Sequence, residues 1–253
     1  MLVGTASVES LLLSQATATI DRFLTDPVRL DEVVCFQLTA EMHNRAREAI
    51  LPPSLHPTIP AALSLQVWAV GRSPWGPFRM AFVRAACRSG VRARGFTLGA
   101  FTSTAASCEA MRSHFGFPAR HADVSLRHGY DGLDAAVTLD GEEILRVHAL
   151  DPEPMDVHDV QYTGTLNLAH TPNGIRLVQL EADHVATRVE RLSARLLKFA
   201  AAAWGNALLD PYVVVSSSLA AETVVFPPLR FVCKPDELAF TGTEAIASGD
   251  ADR

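Results

Sequence analysis

Short runs in which apolar and polar residues alternate recur along most of this 253-residue chain, and such alternation is typical of half-buried β-strands. Ser89-Gly90 and Asp140-Gly141 stand between neighbouring runs and predict tight hairpin turns. Many short strands at close spacing favour a β-barrel or a β-sandwich. The predicted strands are residues 33–40, 63–70, 78–86, 91–101, 123–126, 133–139, 143–150, 161–169, 175–188 and 212–230.

Helical spacing of apolar residues is confined to a few segments. Residues 7–25 predict an N-terminal helix with Ser7 as its N-cap, and residues 41–50 predict a short helix that ends before two prolines. Residues 189–199 are interpreted as partly helical.

The segment Asp151-Pro152-Glu153-Pro154 is interpreted as a surface linker, but predicted strands continue on both sides of it. We therefore predict a single domain over residues 1–253. Within it, residues 1–27 form a helical arm, and residues 241–253, which are small and polar, form a frayed tail.

Composition and charge argue against several classes of protein. A net charge of −6 argues against a general nucleic-acid binder, which would carry a basic excess on one face. The first 14 residues have no basic lead-in and no apolar span of membrane length, so we predict a cytoplasmic protein without a membrane partner. The four cysteines are scattered without a CxxC pair, which favours reduced thiols over disulfides or a metal site.

The stretch 109–125, EAMRSHFGFPARHADVS, predicts a rigid corner between a helix and a strand. Arg112 lies in the helix, the turn Phe115-Gly116-Phe117-Pro118 follows, and Ala119-Arg120-His121 leads into the strand. Pro118 fixes its own φ and removes a backbone donor, while Gly116 relaxes the chain before it. Such a corner can hold a reactive side chain at a defined angle.

This corner resembles the active-site signature of the acetoacetate decarboxylase family, which reads roughly Gly-Arg-Glu, a few residues, then aromatic-Pro-Lys-Lys. In that family the first lysine of the pair forms a Schiff base with a β-keto acid, and the second lowers its pKa. The resemblance places Ala119 at the Schiff-base position and Arg120 at the position of the helper. It extends over about residues 30–232, including the segments 51–55 and 216–218.

The resemblance implies a mainly β (α+β) fold, an antiparallel β-barrel or cone with peripheral helices, and a homo-oligomer. It also matches Gln66 and Met80 to two positions at which the family carries pocket glutamates. The chain has only two lysines, Lys198 and Lys234, and both stand in segments that argue against a role as replacement amine. Schiff-base decarboxylation is therefore not expected.

Arg120, His121 and Arg112 are the predicted catalytic residues, because a guanidinium can hold a carboxylate or enolate oxygen and an imidazole can move protons. Adjacent strand residues point to opposite faces, so only one of Arg120 and His121 faces a cavity unless the corner twists. Arg112 has a structural alternative as an ion-pair or capping residue. The predicted substrate-binding residues are Gln66, Met80, Ala119, Phe117 and His114, with Ala119 enlarging the pocket floor and His114 alternatively a packing residue.

These residues predict an enzyme of specialised metabolism that needs no cofactor or metal. Its expected partner is a small carbonyl-containing molecule, of which polyketide-derived intermediates are one candidate. The expected chemistry is cyclisation, isomerisation, dehydration or aldol-type reaction through an enolate. Two alternatives stay open: a non-catalytic small-molecule binding protein, and a decarboxylase that uses another amine.

Overall fold

A computed structural model describes residues 2–246, which contain three α-helices and sixteen β-strands. The helices are α1 (Val8–Ser14), α2 (Ala105–Phe115) and α3 (Ala239–Gly242). Short 3-10 helices lie at Asn44–Ala46, Val157–Asp159 and Ala201–Trp204. The strands are β1 (Ala18–Thr19), β2 (Val28–Met42), β3 (His56–Pro57), β4 (Ala62–Arg72), β5 (Phe78–Ser89), β6 (Arg92–Thr102), β7 (Ala119–His121), β8 (Asp123–His128), β9 (Gly132–Leu139), β10 (Glu142–Pro154), β11 (Gly164–Thr171), β12 (Gly174–Leu180), β13 (Asp183–Phe199), β14 (Pro211–Phe226), β15 (Phe231–Cys233) and β16 (Thr243–Ala245).

All strands join one curled sheet, in the order β16-β15-β12-β11-β6-β5-β4-β2-β14-β13-β10-β9-β8, with β1, β3 and β7 attached to its sides. Most neighbours are antiparallel, while β11 pairs in parallel with β1 and β6, and β7 with β6. Strand β8 also packs against β4, β5 and β6 because the sheet curls over itself. The prediction of a mainly β fold with peripheral helices is confirmed. Among the described residues, no helix is both long and apolar enough to cross a bilayer.

The central strands are buried on both faces, which explains their nearly continuous apolar composition. Leu65 and Val83 belong to one apolar cluster, whereas Trp68 and Phe82 belong to a second. The second cluster also contains Phe115 of α2, and we call it the helix-side cluster.

Both predicted hairpins are confirmed. Gly90 has φ 60°, and Asp140 and Gly141 have φ 51° and 84°. Positive φ at both Asp140 and Gly141 matches the twist of antiparallel strands. Glycine adopts positive φ at little cost, as Gly90 does in the other turn.

Several local predictions need correction. Ser7 does cap α1, but the helix ends at Ser14, and the predicted continuation to residue 25 is wrong because residues 18–19 pair with β11 instead. The predicted helix at 41–50 is reduced to one 3-10 turn.

The C-terminal half departs from prediction as well. The segment 175–188 is not one strand, since β12 ends at Leu180 and β13 begins at Asp183. Residues 189–199 are strand, because β13 hydrogen-bonds to both β10 and β14 and this pairing overrides helical spacing. Residues 241–245 are not frayed but lie in α3 and β16, while residues 247–253 of the predicted tail lie outside the described residues.

The predicted corner between helix and strand is present. Thr104 caps the start of α2, and Gly116 ends it in the left-handed conformation at φ 71°. The Gly116 N–H donates to the Arg112 carbonyl at 3.1 Å, as in the αL type of helix C-cap, and the Phe117 N–H donates to the Met111 carbonyl at 3.1 Å. Ala119 leaves the corner paired in parallel with Ala100 of β6.

Replacement of Gly116 by alanine is expected to lower the free energy of unfolding by roughly 1–3 kcal/mol. A Cβ there adds strain at positive φ, and it would stand 3.0 Å from the Ala169 Cβ and 3.3 Å from the Ile20 Cδ1. Urea denaturation measures the effect. Gly129→Ala is the matched control, because its Cβ would meet nothing closer than the Asp131 carboxylate at 3.7 Å. Equal stability of the two variants would contradict the strain argument.

Candidate functional site

A cavity of about 100 Å³ lies beside the helix-side cluster, between strands β4, β5 and β13. Ligand pockets for larger molecules measure about 300–1,000 Å³, so this cavity has room only for a small molecule or head group. Aromatic side chains, one arginine and one histidine surround it. The lining residues are Gln66, Trp68, Phe82, Arg84, Phe117, Tyr162, Thr163, Gly164, Thr165, Leu180, Glu181, Ala182, His184 and Phe226.

Arg84 brings a buried positive charge to this cavity. Val83 packs in one apolar cluster, whereas the next residue, Arg84, lies on the opposite face of β5, the face that also carries Phe82. Arg84 is only 3% exposed. Its guanidinium donates to the Thr163 carbonyl at 2.9 Å and the Thr165 hydroxyl at 2.8 Å, while its Nε has no partner. None of the described acidic groups forms an ion pair with it.

Burial lowers the pKa of Arg84 to about 10, because the charged form loses solvation without gaining a counter-ion. A guanidinium in that position is suited to bind a carboxylate or an enolate oxygen. Perturbed buried charges in clefts are also typical of functional sites. Arg84 therefore provides an anion receptor on the cavity wall.

His184 and Glu222 form a second polar unit at the same cavity. The Glu222 side chain is fully buried, and both its oxygens lie 3.2 Å from the His184 Nδ1. The Tyr162 hydroxyl donates to the same carboxylate at 2.7 Å, and the Tyr162 ring stacks on the imidazole at a centroid distance of 3.7 Å. Burial, followed by the negative charge of Glu222, raises the pKa of Tyr162, so its hydroxyl stays protonated.

This arrangement orients the imidazole. A carboxylate that accepts the Nδ1–H fixes the tautomer, so the other nitrogen, Nε2, is left as a proton acceptor. The His184 Nε2 has no hydrogen-bond partner among the described residues. This orientation is suited to proton uptake by the His184 Nε2 at the cavity that Arg84 also lines.

Gln66 adds a neutral donor. Its side-chain oxygen accepts from the Trp68 Nε1 at 3.1 Å, and its nitrogen donates to the Gln37 side chain at 2.5 Å. Those two bonds fix the amide and leave its second N–H for a ligand. Of the sequence-predicted substrate-binding residues, Gln66 and Phe117 line the cavity.

Met80 and Ala119 are not among the lining residues. Both are 1% exposed and pack within the helix-side cluster, where Ala119 is held against β6. Ala119 was predicted to enlarge the floor of the pocket, but it does not line this cavity. His114 is half-buried and packs near Trp75, with ring centroids 6.1 Å apart.

The three predicted catalytic side chains lie away from the cavity. Arg112 donates to the carbonyls of Ala16, Thr17 and Ala119 at 2.7–3.0 Å, so its guanidinium ties the N-terminal segment to the corner. Arg120 lies over the Phe101 ring, in the opposite apolar cluster, and donates to the Ala203 carbonyl.

His121 is exposed at the end of β7. The reason is the strand geometry: Ala119 faces the helix-side cluster, so Arg120 must face the other way, and β7 is too short to carry His121 back into the core. The predicted convergence of Arg112, His114, Arg120 and His121 is therefore not observed.

Sequence reasoning missed Arg84, Tyr162, His184 and Glu222. A signal was present for two of them, since Arg84 is a lone charge in the apolar run FVRAAC and Glu222 a lone charge in AAETVVF. Charged residues are rarely buried without a partner or a function. Tyr162 and His184 give no comparable signal, because their neighbours are polar.

Neither lysine lines the cavity. Lys198 is exposed on β13, and the Lys234 ammonium pairs with Glu237 at 2.7 Å.

Comparison with known proteins rests on solved structures, since no family model and no curated protein sequence matches the chain. An acetoacetate decarboxylase from Legionella pneumophila aligns at 18% identity over 83% of this chain and 88% of that one, with a TM-score of 0.68. The enduracididine biosynthesis enzyme MppR, complexed with pyruvate, aligns at 17% identity over 80% and 89%, with a TM-score of 0.65. An acetoacetate decarboxylase-like enzyme from Sphingomonas wittichii RW1 aligns at 14% identity over 84% and 98%, with a TM-score of 0.63. This chain therefore has the acetoacetate decarboxylase fold.

Proposed function

We propose that this chain is an enzyme of the acetoacetate decarboxylase-like superfamily that works without a Schiff-base lysine or a cofactor. Its reaction proceeds through an enolate of a small carbonyl compound, as in isomerisation, dehydration, cyclisation or aldol-type chemistry. The observation that carries the proposal is that an unpaired buried cation, Arg84, and a carboxylate-oriented imidazole, His184, line one cavity. From the family resemblance we further propose a homo-oligomer, and from the scattered cysteines and the composition of the first 14 residues a location in the cytoplasm.

The proposed step is a proton transfer. His184 Nε2 takes a proton from the carbon next to the substrate carbonyl, and the C–H electron pair forms a carbon–carbon double bond. The carbonyl π electrons move to the oxygen, which becomes an enolate. Glu222 stabilises the imidazolium that forms, Arg84 holds the carboxylate or the enolate oxygen, and Gln66 donates its free N–H.

The neighbours in structure support a carbonyl substrate. MppR has been solved with pyruvate and with the condensation product of pyruvate and imidazole 4-carboxaldehyde. MppR is an enzyme of enduracididine biosynthesis, which supports the proposal of a role in specialised metabolism for this chain. In this proposal Arg84, not Arg120, holds the substrate oxygen, and His184, not His121, moves the proton.

Pyruvate in D₂O tests the proposal. We expect the protein to catalyse exchange of the methyl protons for deuterium, followed by NMR, because exchange requires only the enolate. We expect no mass adduct after borohydride reduction with pyruvate or acetoacetate, since neither lysine lines the cavity. A stable adduct would show that an amine takes part, and pyruvate binding without exchange would favour the non-catalytic alternative.

A further inference from the structure

A second hollow of about 590 Å³ lies on the outside of the molecule, between the β5–β6 hairpin and the C-terminal segment. We call it the outer groove. Its walls combine apolar and charged side chains. The apolar ones include Val91, Pro227, Pro228, Phe231 and Phe240, and the charged ones are Arg92, Arg94, Glu181, Asp183 and Arg230. Its volume falls within the range of small-molecule pockets.

The outer groove adjoins the small cavity. Leu180 and Glu181, at the end of β12, line both. Arg94 forms an ion pair with Glu181. The Arg94 side chain also packs over Gly164, which lines the cavity: a Cβ built on Gly164 would lie 3.2–3.3 Å from it. One ion pair and one strand end thus separate the two spaces.

Apolar side chains of the outer groove face solvent. Val91 is 83% exposed and Phe240 is 81% exposed, and the Phe240 ring packs near Gly90 across the groove. Clustered exposed apolar side chains are typical of binding sites. A protein partner would need about 800 Å² on each side, whereas a concave groove that shares Leu180 and Glu181 with the adjoining cavity is suited to one elongated ligand.

We propose that the outer groove binds the apolar body of the substrate, whose 2-oxo acid head enters the cavity past Glu181. The inference rests on the proposed function, because it takes Arg84 as the receptor for the head group. The substrate class is then a carbonyl acid with a long alkyl chain or an apolar ring. The cavity alone, at about 100 Å³, does not accommodate such a body.

Calorimetric titration with pyruvate, 2-oxohexanoate and 2-oxodecanoate tests this. Each methylene buried in the groove should raise affinity about fourfold, so 2-oxodecanoate should bind at least about 100-fold more tightly than 2-oxohexanoate. Phe240→Ala and Val91→Asp should each weaken 2-oxodecanoate binding about tenfold and leave pyruvate binding unchanged. Both positions are exposed, so the fold tolerates the changes.

Leu13→Ala is the matched control, because Leu13 is 88% exposed and lies outside the groove. Decanoate, which has no 2-oxo group, measures apolar binding alone and should bind more weakly than 2-oxodecanoate. If pyruvate binds but chain length or both groove variants have no effect, the groove inference fails while the proposed function stands. If no 2-oxo acid binds, the proposed function fails and this inference fails with it.

Discussion

His184→Asn is expected to slow deuterium exchange into pyruvate by about 100- to 10,000-fold, the usual contribution of a positioned general base. Asparagine keeps a polar side chain of similar size but cannot take up the proton. Glu222→Gln should slow exchange about 10- to 100-fold, because the imidazole keeps a neighbour but loses the charge that stabilises its protonated form. NMR exchange rates at saturating pyruvate measure both effects.

His148→Asn is the matched control. His148 also pairs with a carboxylate, since its Nδ1 lies 3.0 Å from Asp134, but this pair is on the surface. Its exchange rate should equal that of the unchanged protein. If the His184 variant retains full exchange, His184 is not the base, and the proposed proton transfer is wrong.

Arg84→Met is expected to weaken pyruvate binding by about 100-fold or more, because a charge-assisted pair in a buried site is lost. The free energy of unfolding should stay within about 2 kcal/mol of the original value. Three hydrogen bonds, to Thr163, Thr165 and Ser64, disappear, but an unpaired buried cation is replaced by an apolar side chain of similar length. Calorimetric titration and urea denaturation measure the two quantities.

Arg88→Met supplies the comparison, since Arg88 is exposed on the same strand. It should change neither binding nor stability. Unchanged pyruvate affinity in Arg84→Met would show that the guanidinium is not the anion receptor. A large loss of stability without a loss of affinity would assign Arg84 a structural role only.

In the corner at residues 109–125, local sequence determines the turn but not the direction of the Arg120 side chain. Gly116 and Pro118 determine the turn through their own backbone preferences, and the structure has that turn. The direction of Arg120 depends on which face of β7 packs against the helix-side cluster. That packing involves distant strands, so the corner alone does not place Arg120 in a cavity or outside it.

Strand β13 is a second case in which local sequence did not determine the structure. Its residues 189–199 carry charges at helical spacing, yet the segment pairs with β10 from Glu190 to Phe199 and with β14 as far as Arg191. The local preferences of these residues for helix and strand differ little, whereas the paired strands supply hydrogen-bond partners for backbone groups of the segment.

The sequence by itself determined the alternating strands, the hairpins at Gly90 and Asp140-Gly141, and the mainly β class, because these follow from side-chain alternation and from glycine at positive φ. Only the tertiary structure decided the site. Arg84 and Thr165 are 81 residues apart, and His184 and Glu222 are 38 apart. Pairing of β13 with β14 joins His184 to Glu222, and the folded sheet brings His184, Arg84 and Thr165 to one cavity. Residue spacing along a chain does not encode that closeness, since it arises from the pairing and curvature of whole strands.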